Sequence, residues 1–241
     1  MSEPILASEH HPGLRRLALL ATGSTGADIE RLVREVRRKA RRQQRSLTWS
    51  DLEDALLAGQ TKLSDDLRWR TAIHEAGHAV AFCEMRVAEV LTATIGIGGV
   101  GQVLSRQQHH LPQTQDWLMR MIACMLAGRA AELMIFGEAL AGAGGYDDSD
   151  LARATDYAIA AETRLGFSSH RPLLYGSPAG TLNELSLDRQ LAERVNARLV
   201  EAEGQARSLL ENRREDLIAI ATRLKETGAV SGDEVRELLG V

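Results

Sequence analysis

Apolar residues recur every three or four positions along most of the chain, the period of a helix that turns one face to a core. Ile29, Leu32, Val33 and Val36 share such a face, and Leu52, Ala55 and Leu56 share another. Leu14 to Ala21 predicts a shorter apolar helix before them, behind a loose polar arm over residues 1–13. Thr25 and Asp28 stand three apart where one pattern begins, and Thr48 and Asp51 do so where the next begins. At that spacing the hydroxyl accepts a backbone N–H while the acid reaches back to the cap residue, so each pair predicts a helix start. Residues 1–59 therefore predict a small unit of three helices, bounded by Gly59-Gln60.

A second block, residues 60–241, mixes periods. Leu67 and Trp69 lead into an apolar helix running through Phe82. The β-branched alternation of Thr92 to Ile97 predicts a strand, Gly98-Gly99 a turn, and Val100 to Leu104 a second strand. Gln113 to Phe136 returns to helical spacing, with Trp117, Met121, Ile122, Met125, Leu126 and Leu133 on one side and Gly137 as its stop. A glycine-rich loop, 141–145, delivers the chain to Asp147, Asp148 and Asp150 and to a helix from Leu151 to Leu165. Pro172 to Gly180 has no pattern. Leu187, Leu191, Val195, Leu199, Ala202, Ala206 and Leu209 mark one long amphipathic helix, and Leu217, Ile218, Ala221 and Leu224 another. Ser231 and Glu234 cap a last short helix ending at Gly240. The expected fold is mainly α, with one small β-hairpin or sheet.

Composition narrows this reading. The 241 residues suffice for one large domain or two small ones, and 44% hydrophobic residues can build a core. A formal net charge of -4 gives no global attraction to nucleic acid or anionic lipid. The arginine-rich run from Arg31 to Arg45 contains no interleaved aromatics for base stacking, so a solvated helix face, or a face that meets an acidic neighbouring subunit, is expected there rather than a nucleic-acid patch. Cys83 and Cys124 lie in apolar helical surroundings and are expected to be buried free thiols of a reducing compartment. The first residues show no signal peptide, and the longest uncharged central run, Val90 to Ser105, is too short and too rich in Gly and Thr to cross a membrane. A cytoplasmic protein without a membrane span is expected.

The chemistry concentrates in Thr71 to Val80, which contains H-E-x-x-H. Residues four apart on a helix lie nearly one above the other, so His74 and His78 present two imidazoles on one face. That spacing suits one zinc ion, which takes neutral imidazole nitrogens and leaves a position open in catalytic sites. Glu75 flanks the pair, where a general base for the attacking water belongs. A third protein ligand is needed. Ala81 and Glu84 occupy the places where a metzincin has a Gly and a third His, and on a continuing helix Glu84 points away. The open candidates are His109-His110, which precede Pro112; Glu132, which an ion pair with a neighbour also explains; and Asp147, Asp148 and Asp150, of which at least one is expected to cap a helix. The acidic cluster is the best placed, and ligand chemistry does not choose among its three members. The loop at 141–145 is followed by no G-K-[ST], so a phosphate cradle is not expected.

At this point the sequence resembles a known family. His74-Glu75-Ala76-Gly77-His78-Ala79 resembles the zinc helix of the FtsH-type membrane proteases, peptidase family M41. Ala127-Gly128-Arg129-Ala130-Ala131-Glu132 with Phe136-Gly137 is similar to that family's Gly-Arg-Ala-Ala-Glu helix. Ser149-Asp150-Leu151-Ala152-Arg153-Ala154-Thr155 is similar to its Asn-Asp-Ile-Glu-Arg-Ala-Thr segment, and Leu165-Gly166-Phe167-Ser168 to the Trp-Gly-Met-Ser that follows. Leu209-Leu210-Glu211-Asn212-Arg213 and Val235-Arg236-Glu237-Leu238-Leu239 fit as well, so the likeness covers residues 64–241 almost throughout. Residues 1–59 resemble the helical lid of the family's AAA ATPase module, through Thr25-Gly26-Ala27-Asp28-Ile29 and Thr48-Trp49-Ser50-Asp51-Leu52.

The resemblance implies a zinc metalloendopeptidase acting on unfolded or flexible polypeptides. It implies Zn²⁺ held by His74, His78 and Asp150, with Glu75 as catalytic base, and a hexameric ring of like subunits. No G-x-x-x-x-G-K-[ST] occurs, none of Lys39, Lys62 and Lys225 follows a Gly, no anchor segment is present, and Ser149 stands where the family has Asn. The expectation is a lid plus a peptidase domain without its own ATPase core, working alone or with a separate AAA ATPase. The alternative is an accessory subunit that joins a full-length relative's ring and keeps its zinc only as structure; an intact Glu75 argues against it.

Overall fold

A computed structural model describes residues 12–21, 24–58, 63–97, 100–107, 111–143, 145–176, 185 and 188–241. The arm over 1–11, the breaks at Thr22-Gly23, Gly59-Gln60 and Gly98-Gly99, the His109-His110 pair, Gly144, the stretch 177–184 and Leu187 lie outside the described residues.

The first three helices are α1 (Pro12–Leu20), α2 (Gly26–Arg42) and α3 (Trp49–Ala58). Both predicted capping pairs form. The Thr25 hydroxyl takes the Asp28 N–H at 3.2 Å, and the Thr48 backbone N–H donates to Asp51 at 2.9 Å. Arg45 closes the corner between α2 and α3 with two hydrogen bonds to Asp51, at 2.5 and 2.6 Å. The basic face of α2 is exposed, with Arg31 and Arg34 paired to Asp28 and Glu30 of the same helix.

The second block begins with α4 (Asp65–Met85), opened by the Ser64 cap and closed by Arg86 in a left-handed conformation at φ 54°. Strands β1 (Ala88–Ile97) and β2 (Val100–Gln107) extend the predicted hairpin at both ends. A third strand, β3 (Ala229–Ser231), pairs antiparallel to β1 through Ala93 and Val230, giving the order β2-β1-β3 with β2 at an edge. Helix α5 (Gln115–Phe136) runs from the Thr114 cap to Gly137 at φ 77°. A single 3-10 turn, Ala141–Ala143, leads to α6 (Asp150–Thr163). The long helix α7 (Arg189–Asn212), then α8 (Arg214–Thr227) and α9 (Gly232–Leu239) complete the chain. Pro172 to Gly176 is irregular, as expected, and bares Leu173, Leu174 and Tyr175.

The core is built on α4 and α5. From Ala72 to Phe82 α4 buries nearly every residue, Gly77 and His78 included, because α5, α8 and the sheet enclose it on several sides. Helix α5 is buried along Trp117 to Gly128 between α4, α6 and α7. Cys124 is fully buried, whereas Cys83 is only half-buried, a correction to the expected pair of buried thiols; Cys83 lies toward the surface that also holds Arg236. Among the described residues no helix is long and apolar enough to cross a membrane.

The tightest point of this packing is Gly77. A Cβ there would lie 2.6 Å from the Ala127 carbonyl oxygen and 2.8 Å from the Ala131 Cβ, so α4 and α5 approach at a distance only glycine permits. Overpacking of this kind costs about 1–3 kcal/mol, more than the roughly 0.5–1 kcal/mol that Ala gains over Gly in a helix. Gly77→Ala is therefore expected to lower the midpoint of urea unfolding. Gly204→Ala is expected to raise it, since a Cβ on Gly204 of α7 meets nothing within 4 Å. Equal midpoints for the two variants would contradict the close crossing.

Candidate metal centre

Helix α4 starts at Ser64, whose hydroxyl accepts the Leu67 N–H at 3.2 Å, with Asp65 and Asp66 in the first turn facing the positive end of the helix dipole. Ten residues on, His74 and His78 leave the same face toward α5. Their rings lie 4.8 Å apart, edge to face at 72°. Three residues of α5 spaced by four, Cys124, Gly128 and Glu132, meet them. The His78 Nδ1 is 2.8 Å from the Cys124 carbonyl oxygen, and the His74 Nδ1 is 2.5 Å from Glu132 Oε1. Between these two contacts sits Gly128, where a Cβ would come within 2.5 Å of both Nε2 atoms.

The third side chain comes from α6. Ser149 caps that helix, its hydroxyl accepting the Ala152 N–H at 3.3 Å, and Asp150 opens the first turn. Asp150 Oδ2 lies 3.2 Å from His74 Nε2 and 3.1 Å from His78 Nε2, and the two Nε2 atoms are 3.1 Å apart. Among the described residues this is the one group of three His, Cys, Asp or Glu side chains placed to hold a metal ion.

Hydrogen-bond chemistry decides what those three atoms need. A carbonyl oxygen only accepts, so the His78 Nδ1 carries the proton and its Nε2 presents a lone pair. Glu132 holds the proton of His74 on Nδ1 in the same way. Two Nε2 atoms and a carboxylate oxygen then face one another at 3.1–3.2 Å, an arrangement that requires positive charge, either a proton on a ring or a metal ion in its place. Tetrahedral zinc with ligands at about 2.0–2.1 Å separates its ligand atoms by about 3.3 Å, so the donor set fits.

The same demand for positive charge appears in the titration of the site. Burial works to lower the His74 pKa, but its hydrogen bonds to Asp150 and Glu132 outweigh it and hold the ring raised, to about 10. Burial works to raise Asp150, yet the neighbouring His78 and His74 hold its carboxyl well below the usual carboxylate range. Glu75 shifts the other way. It is buried beside the pair, and burial pushes its carboxyl up against the pull of both histidines. Glycine at position 101 of β2 makes room for it, since a Cβ there would overlap the Glu75 carboxyl. These groups line one cleft of about 640 Å³, together with the apolar Leu67, Val103 and Met125 and the exposed Tyr146, Asp148 and Arg153.

Two expectations change. None of the three aspartates caps α6, because Ser149 does so; this leaves Asp150 in the first turn, turned toward the histidines. Glu132 pairs with no arginine: Arg129 reaches across to Glu203 on α7, while Glu132 takes His74 and the Leu140 N–H. Glu84 points away from the cluster as expected, to Arg213 at 2.6 Å. Sequence reasoning missed Glu132 as the group that orients His74, and Gly128 and Gly101 as the gaps the site needs. The four-residue spacing of Cys124, Gly128 and Glu132 on one face of α5 was the available signal.

The model of peptidase family M41 matches residues 61–238. The chain belongs to peptidase family M41. A Pseudomonas putida protein named ATP-dependent zinc metalloprotease FtsH is 35% identical over 248 residues, which cover 91% of this chain and 39% of that protein. ATP-dependent zinc metalloprotease FtsH 1 of Sorangium cellulosum is 33% identical, over 91% of this chain and 39% of its own. A protein of the same name from Symbiobacterium thermophilum is 35% identical, over 94% and 39%. The chain thus spans about two fifths of the length of these M41 relatives.

If the three convergent atoms form the metal site, purified protein is expected to hold about one zinc per chain by elemental analysis. His78→Ala and Asp150→Asn are expected to lose it, while Asp147→Asn and Asp148→Asn keep it. Gly128→Ala is expected to weaken zinc at least tenfold by displacing the two rings, although all three ligand residues are retained. One tightly bound zinc in a His74→Ala/His78→Ala double variant would put the site elsewhere.

Proposed function

We propose that this M41 domain is a zinc metalloendopeptidase, with Zn²⁺ held by His74, His78 and Asp150 and with Glu75 as general base. The observation that carries the reading is the set of three inward-facing acceptor atoms with both histidine Nδ1 atoms already committed to other partners. Zinc bound there would acidify a water and polarise the scissile carbonyl. The Glu75 carboxyl, next in sequence to His74 and buried beside both rings, is positioned to take the water's proton and hand it to the leaving amine nitrogen as the C–N bond breaks. His74 and His78 stay fixed through this transfer because Glu132 and the Cys124 carbonyl hold their far nitrogens.

The substrate reading is an extended, unfolded or flexible polypeptide. Strand β2 is an edge strand, and Gly101, Gln102, Val103 and Ser105 line the cleft, so main-chain groups of an extended segment have an edge to pair with beside the base. Such pairing carries little side-chain preference. Residues 1–59 are proposed as a lid-like helical domain and 60–241 as the peptidase domain, assembled as a hexameric ring in the cytoplasm. The relatives' names, each an ATP-dependent zinc metalloprotease, support a proposal that an AAA ATPase supplies folded substrates in unfolded form.

Casein degradation tests this. Peptide hydrolysis at zinc uses no nucleotide, so the 241-residue chain is expected to cleave casein at a rate ATP does not change. Unfolding a domain takes roughly 5–15 kcal/mol, more than binding along one strand edge supplies, so a stable folded protein is expected to remain intact. Glu75→Gln is expected to lower the casein rate by about 10²–10⁴-fold with zinc and fold retained. A native chain that holds zinc but cuts no casein would favour the accessory-subunit alternative.

A further inference from the structure

We propose that Arg153 reads a carboxylate on the substrate close to the scissile bond; this rests on the peptidase reading above. Arg153 lies on α6 three residues beyond Asp150 and lines the cleft that holds His74, Glu75 and His78. It is the one lysine or arginine among the cleft's described lining residues. Its side chain is exposed, and among the described residues its guanidinium has no hydrogen-bond or ion-pair partner.

That lack of a partner separates it from other arginines around the peptidase core. Arg129 is held by Glu203, Arg194 and Arg198 by Glu162, and Arg213 by Glu84. Nor does the stability of α6 explain it. A cation in the first turn of a helix opposes the helix dipole, and the acid one turn earlier, Asp150, is turned to the histidines. A planar guanidinium with five donors, free at the mouth of a cleft, fits a carboxylate on two parallel bonds.

The remaining charges make the preference local. Glu75 and Asp148 also line the cleft, so an acid placed away from Arg153 along a bound peptide meets carboxylates and no second lysine or arginine among the described lining residues. Three helical residues advance about 4.5 Å, and an extended substrate advances about 3.3 Å per residue. The carboxylate therefore belongs within about three residues of the bond that is cut. An acidic side chain and a free chain terminus offer the same group.

The test uses the native chain and a neutral fluorogenic peptide, with Glu replacing Gln in turn at each of three positions on either side of the cut. A second arm compares the peptide ending three residues past the cut as free acid and as amide. The native chain is expected to prefer the acid over its neutral twin by about threefold to tenfold in kcat/KM, carried in KM, at one position or at the terminus. Which arm responds identifies the source. In Arg153→Gln that ratio is expected to fall toward one, and in Arg153→Glu to invert, with Lys preferred at the same position. Reading ratios within each variant removes any change in its overall rate. Absence of an acid preference in both arms, or a ratio that survives Arg153→Glu, overturns the proposal while leaving the peptidase reading intact, because the neutral peptide is still cut. Failure to cut any peptide overturns both.

Discussion

The crossing of α4 and α5 is the constraint on which the rest depends. Gly77 has no side chain where the Ala127 carbonyl and Ala131 pack against it, and Gly128 has none where both His Nε2 atoms converge. Two helices this close bring main-chain and side-chain acceptors of α5 within reach of rings on α4. The cost is specificity of sequence: neither glycine can carry even a methyl group without moving a backbone or a candidate ligand. The arrangement is antiparallel in register, with His74 opposite Glu132 and His78 opposite Cys124. One local repeat of four on each helix therefore sets ring orientation and tautomer together.

From that register the chemistry follows with few further choices. Once each Nδ1 proton is held by its own partner, each Nε2 is the ring atom left to face the Asp150 oxygen, which makes three convergent atoms. Two ring nitrogens and a carboxylate oxygen at 3.1–3.2 Å in a largely buried place call for positive charge, which the raised His74 supplies as a proton and a metal ion would supply in its place. Glu75 belongs to the same helix turn yet has the opposite tendency, because burial rather than charge dominates its surroundings. Neighbouring carboxylates on one cleft are thus shifted in opposite directions, Asp150 downward by the two histidines and Glu75 upward by burial.

What was legible in the sequence was local. His74 and His78 declare themselves because four residues is one helical turn, and Thr25, Thr48 and Ser231 declare helix starts because capping is a three-residue affair. The mainly α fold and the hairpin followed from periodicity, and both are present. β3 was not legible: three residues, from just past the helix stop at Gly228 to the cap residue Ser231 inclusive, are too few to show a period, and their pairing with β1 is set by a contact some 138 positions away. Choosing Asp150 over Asp147 and Asp148 needed the family resemblance, since all three offer the same group. Glu132 stayed hidden because an acid in an apolar helix has many bland explanations, and its partner lies 58 residues back. Gly128 and Gly101 stayed hidden because a glycine's role lies in what another side chain would strike.

The third arm of the cluster must be held as firmly as the helix pair, and α6 is fastened at both ends. Its first residue is turned toward the histidines, and near its last turn Glu162 is buried against α7. There the carboxylate accepts from Ser168 at 2.8 Å, Arg194 at 2.9 Å and Arg198 at 2.6 Å, while Arg198 also donates to the Phe167 carbonyl at 2.7 Å. Burial works to raise Glu162, and these three donors outweigh it and keep its carboxyl low. A buried carboxylate with fewer donors would be a liability; with four bonds in one network it fixes the axial position of α6 on α7. Helix α7 packs in turn along α5, so Asp150 is located relative to His74 through α6, α7 and α5 as well as through its own contacts with the two rings. The packing of α6 on α7 and of α7 on α5 thus holds the Asp150 end of α6 beside the histidine face of α4.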